Sequence, residues 1–251
     1  MKKRKIHFNW EKIVFWFVFI SLIGSAIFAA ICIGTAPAHL EEGQPYQKLK
    51  SDYILMVLQC ILGAVVMFLP TLIERRFKIE IPGFMYIVFI IFLYGAIYLG
   101  EVRSFYYKIP NWDTILHTFS GAMLGALGFV VVDILNKSKR VKLMLSPLFV
   151  SIFALCFAVT LGVLWEFYEY TFDGILGLNM QKFALENGTP LVGREALQDT
   201  MEDLLVDAAG ALVIAAIGFI NLKKKKAMGV FPDILEHDNC DKKDNDALEK
   251  Q

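Results

Sequence analysis

Apolar residues run along this chain in six long blocks separated by short polar stretches. The blocks cover about residues 13–35, 53–73, 84–100, 115–135, 145–172 and 201–222. Each comes close to the roughly 20 residues that an α-helix needs to cross the hydrocarbon core of a bilayer. The pattern predicts an all-α, polytopic membrane helix bundle of six transmembrane helices over residues 1–226. Residues 227–251 are polar and read as a disordered cytoplasmic tail. The first three blocks carry no charged residue, whereas the last three hold His, Asp and Glu inside them.

Composition narrows the class. Apolar residues make up 56% of the chain and aromatic ones 14%, against about 45–50% apolar in a soluble domain. The mean hydropathy is +0.52. The 25 basic residues balance 25 acidic ones, so no nucleic-acid partner is expected, and the partner implied is membrane lipid. No pair of the four cysteines falls in a connection on the far side of the membrane, so no disulfide framework is implied.

Basic residues set the orientation. The N-terminal arm, the second-to-third and fourth-to-fifth connections and the segment after the sixth block hold sixteen Lys and Arg, against six in the alternate connections. Both termini are therefore expected in the cytoplasm, in a bacterial cytoplasmic (inner) membrane. The basic start followed by an apolar run resembles a signal peptide, but the run exceeds the 7–15 residues of a signal core.

Ionisable residues within a span cost from about 2.5 kcal/mol upward at the bilayer centre, so they face the bundle interior or a wet cavity. On the fourth span, Asp113 and His117 share a face, and Ser120 and Gly121 continue it. Gly121 and Gly125 make a small-xxx-small pair. On the fifth, Glu166, Glu169 and Asp173 fall within an arc of roughly 60°. Asp199, Asp203, Asp207 and Gly210 form a stripe on the sixth, with Glu202 beside it. Favourable helix-start electrostatics cover Asp199 and Glu202 but not Asp207, two turns deeper. At about 1.5 Å per residue, the three helices bring His and carboxylates to one layer beneath the outer surface.

So many carboxylates together need a bound divalent cation, shared protons, or a basic partner such as Arg103 or Arg194. A His with several carboxylates suits Mg²⁺, Mn²⁺, Fe²⁺ or Zn²⁺. On that reading, His117, Glu166, Glu169 and Asp203 are the metal ligands. Asp199 and Asp207 are the catalytic candidates, orienting a ligand or acting as general base. Asp113, Asp173 and Glu202 are further polar candidates. The connection 174–198 hangs over this layer as a lid or an interfacial segment. Asp133 and Lys137 read as a local pair.

The ordered motifs Asp113-x-x-x-His117-x-x-x-Gly121, Glu166-x-x-Glu169 and Asp199-Thr200-x-x-Asp203-Leu204, closed by Gly210, resemble the YjdF-like family of bacterial inner-membrane proteins. They are more distantly similar to VanZ-like proteins, named for a glycopeptide-resistance accessory. The resemblance covers about residues 85–222. Asp207 departs from it, standing where some relatives carry an apolar or amide residue. The resemblance implies a multi-pass envelope protein with a shared polar site, and the VanZ link points by analogy to the cell envelope or its lipids.

The reading that results is a membrane protein with a carboxylate–His site below the outer leaflet, holding one divalent metal ion and acting on a lipid or envelope precursor. The last four spans form its functional core. A proton- or cation-coupled transporter and a structural accessory subunit are the alternatives. No nucleotide-binding loop, zincin motif or nucleophile elbow occurs.

Overall fold

The computed structural model describes residues 10–38, 47–77, 81, 83–136, 145–185 and 188–224. The tail, Lys137 as partner of Asp133 and most of the basic residues behind the expected orientation lie outside these. The regular elements are helical. They are α1 (Trp10–Cys32), α2 (Lys50–Val66), α3 (Leu69–Phe77), α4 (Gly83–Leu93), a π-helix (Tyr94–Val102), α5 (Phe105–Lys108), α6 (Trp112–Asn136), α7 (Pro147–Leu176) and α8 (Arg194–Lys223). They include six helical stretches long and apolar enough to cross a membrane. The all-α, six-span expectation holds.

Two of the stretches change geometry midway. Proline at position 70 has no N–H to offer the preceding turn. The chain accordingly tightens at Met67 and Phe68, and α3 restarts at Leu69. In the third stretch α4 widens into the π-helix, which its uniform apolar pattern does not announce.

The described residues fall into two compact units. The first comprises the described residues of 10–116 and 169–199. Leu22, Met56, Cys60, Met67 and Ile90 form its fully buried centre. Around them Phe15 and Phe19 stack, each edge-on to Phe68. The π-helix joins this core through Ile97, and stacks Tyr94 on Tyr98 with centroids 4.8 Å apart. The third span thus packs with the first two.

The second unit comprises the described residues of 117–168 and 200–224. Here α6 and α8 run parallel with backbones in close contact. A Cβ at Gly121 would overlap the backbone of Asp207, and one at Gly210 the carbonyl of Thr118. A Cβ at Gly125 would lie 3.3 Å from the Cα of Ala211. On α7, Ala154 meets Gly128 in the same way. Beyond these contacts Phe129, Val132, Val150, Ala154 and Leu222 close the far end of the three helices with a buried apolar cluster.

Candidate metal centre

The close approach of α6 and α8 puts the polar stripe of one helix against that of the other. His117 Nδ1 lies 3.3 Å from Asp207 Oδ2, and its Nε2 lies 3.7 Å from Asp203 Oδ2. Both carboxylates are buried, and the His side chain is 13% exposed. Ser120 Oγ lies 2.6 Å from Asp207 Oδ1 and 2.8 Å from the His117 carbonyl oxygen. Its single hydrogen serves the shorter contact, which holds the Asp207 carboxylate on the imidazole. The third helix leaves room for that carboxylate. A Cβ at Gly162 of α7 would sit 3.0 Å from Asp207 Oδ2.

These contacts fix a register. Gly121, Gly162 and Asp207 lie at one level. One turn toward the α7–α8 connection, about 6 Å away, the same faces carry His117, Glu166 and Asp203. Glu166 is itself buried. Three helices therefore present a His and two carboxylates at one height, above a layer whose glycines make the approach possible.

A neutral imidazole has one N–H and one lone pair. In the tautomer that donates Nδ1–H to Asp207, the Nε2 lone pair faces the Asp203 carboxylate. Two acceptors facing each other need a proton or a metal cation between them. A charge-assisted N–H···O bond would be about 2.7–2.9 Å long, shorter than the 3.7 Å gap seen. Two ligands at about 2.1 Å from one ion stand roughly 3.0–3.5 Å apart, closer to that gap. The Asp207–His117 pair has the form of a carboxylate orienting a metal-binding imidazole.

Asp173, Asp113 and Asp199 have partners in the α7–α8 connection. Asp173 is committed to its own loop, accepting the N–H groups of Met180 at 2.8 Å and Gln181 at 3.0 Å. Asp113 and Asp199 both pair with Lys182, the latter at 3.3 Å. The basic partner expected among Arg103 and Arg194 is thus supplied here by a loop lysine. Helix α8 starts at Arg194, with Glu195 in its first turn. Asp199 and Glu202 therefore lie past the helix start that had explained them. Glu169 is buried on α7, while Glu202 is exposed on α8.

Two contributors were missed from the sequence. Ser120 had been read only as part of a face, and Lys182 only as a topology charge. A hydroxyl one turn from His117, on the glycine face, was the available signal for the first. Nothing in the loop sequence distinguishes Lys182 from its neighbours.

Comparison with known proteins agrees with a membrane protein. A protein of Thermotoga maritima, described as an uncharacterized protein, is 34% identical over 128 residues. That match covers 51% of this chain and 56% of the relative, so the aligned part spans little more than half of the relative's length. No solved structure matches. Residues 44–224 match the family described as "Predicted membrane protein (DUF2238)", a segment that holds the last five spans and every residue of the candidate site. With most of its length covered by that match, the chain belongs to this family of membrane proteins.

Proposed function

We propose that this chain is a multi-pass protein of the bacterial inner membrane, with both termini cytoplasmic, that holds a divalent metal ion at His117, Asp203 and Glu166. Asp207 positions the imidazole, and Ser120 positions Asp207. The observation that carries this reading is the placement of His117, anchored through Nδ1 and separated from Asp203 by a gap suited to a shared cation. Basic-residue asymmetry puts the site beneath the outer leaflet. Metal-assisted hydrolysis or transfer on a lipid or envelope precursor is the reaction class that such a site serves, with the ion polarising an oxygen or activating water. The likeness to YjdF-like and VanZ-like proteins supports the envelope assignment by analogy.

The apolar cluster around Phe129 favours this reading over a transporter. It closes the three-helix unit toward the cytoplasmic end with side chains that offer no polar relay. A carrier needs its site near the midplane with access from both faces.

The test is metal content. Full-length protein purified in mild detergent without chelator, and reloaded with Mn²⁺, is expected to hold near-stoichiometric metal by elemental mass spectrometry. His117→Ala and Asp203→Asn lose it, Glu166→Gln weakens it, and Asp207→Asn lowers affinity about 10- to 100-fold as an orienting partner. Well-folded wild-type protein that takes up no metal would overturn the proposal and leave a proton-sharing network in its place.

A further inference from the structure

The ion pairs at the α7–α8 connection place one lysine where it can act on the spacing of two helices. Lys182 pairs with Asp113 of α6 and, at 3.3 Å, with Asp199 of α8. Its ammonium also stands 5.0 Å from the centroid of the Tyr106 ring, within cation–π range. The ring in turn covers Gly100 of the π-helix, where a Cβ would overlap it. All these groups belong to the first unit.

The loop is built to hold that lysine in place. Asp173 accepts the N–H groups of the two residues before it. Asn179 donates to the carbonyl of Ala184 and accepts its N–H, at 2.7 and 3.0 Å. Ala184 pairs with Pro190 across the loop. Lys182 itself has φ +46°, a left-handed conformation that favours glycine. A non-glycine residue persists there when its surroundings over-determine it. The side chain, spanning two carboxylates and an aromatic face, is what a glycine could not supply.

We infer that Lys182 is a positioning residue. It clasps the first turn of α6 to the second turn of α8 and so presets the separation of His117 and Asp203, each one helical turn further along the same two helices. Asp113 precedes His117 by four residues and Asp199 precedes Asp203 by four, so the clasped pair and the ligand pair stand in the same register. This inference rests on the metal-site reading for its consequence, but the clasp can be observed without metal.

The experiment uses full-length protein with its four cysteines replaced and spin labels at Ile115 and Leu197, both more than half exposed. Wild-type Lys182 is expected to give a narrow label–label distance distribution, Lys182→Met a broadened one, and Lys182→Arg a narrow one again. In parallel, Mn²⁺ affinity is read from the EPR signal of the free ion. Lys182→Met should bind about tenfold more weakly at unchanged helicity, and Lys182→Arg should recover most of the loss. Equal distribution widths in Lys182→Met and wild type would overturn the clasp. Broadening with unchanged Mn²⁺ affinity would overturn the positioning role. If wild type and His117→Ala both ignore Mn²⁺, the metal-site reading fails and the positioning role with it, while the label distances still decide the clasp.

Discussion

The two units of this protein solve helix packing in opposite ways. The first fills its interior with large side chains, among them Met56, Met67, Ile90 and paired Phe rings. The second draws α6 and α8 together at Gly121, Gly125 and Gly210 until backbone meets backbone. In lipid the apolar effect does not drive helices together, so packing, close backbone approach and interhelical polar contacts carry association. The glycine solution brings polar side chains on facing helices within bonding reach, and this is where the His–carboxylate set lies. In the first unit methyl groups and rings fill the space between helices.

The largest effect should follow from breaking the glycine contacts. Gly210→Val and Gly121→Val would each drive a side chain into backbone that cannot rotate away. Here the backbone of two helices must separate, which places the cost beyond that of ordinary overpacking. Most of the monodisperse protein should be lost on purification. Gly24→Ala, where nothing lies within 4 Å of the added Cβ, should be neutral or stabilising, because alanine is favoured over glycine in a helix by about 1 kcal/mol. Thermal unfolding in detergent separates the cases. A Gly210→Val protein as stable as wild type would remove the contrast between the units.

A smaller effect is expected from a cavity in the first unit. Met56 is 1% exposed, and truncating such a residue costs about 2–5 kcal/mol depending on how far its neighbours collapse. Met56→Ala should lower thermal stability clearly while the surviving folded protein keeps its metal stoichiometry. Asp203→Asn should do the reverse. A Met56→Ala protein that unfolds like wild type would show that methyl-group packing is not what holds that unit.

Some of this architecture can be read from residue order alone. A carboxylate inside an apolar run has few affordable environments, so His117, Glu166, Asp203 and Asp207 stood out as a set. Helix rise and alternating direction put them within about one helical turn of one another in depth. Other features depend on contacts that no local pattern encodes. Asp173 keeps the seven-residue spacing from Glu166 that suggested a shared site, yet its partners are backbone N–H groups of a loop. The π-helix shares the apolar pattern of α4, because one extra residue per turn leaves no mark in a run that is hydrophobic all round. Lys182 acquires its role only when the loop folds it back over Asp113 and Asp199.

Ser120 is the finest of these distinctions and gives the smallest expected effect. Serines in apolar helices commonly donate to a carbonyl one turn back. Ser21, Ser25 and Ser151 do so at 2.7, 2.7 and 2.9 Å. Ser120 is within reach of such a carbonyl too, but its shorter contact is to the Asp207 carboxylate. A hydrogen bond to a charged group contributes about 1.5–3 kcal/mol, against roughly 1 kcal/mol for a neutral one. Ser120→Ala should therefore destabilise the protein by about 1–2 kcal/mol, and Ser25→Ala by less. Removing the hydroxyl also frees Asp207 to turn from the imidazole, so Mn²⁺ affinity should fall a few-fold, less than in Asp207→Asn. If Ser120→Ala and Ser25→Ala behave alike in both measurements, Ser120 is an ordinary helix serine, and Asp207 must be held on His117 by the glycine contacts alone.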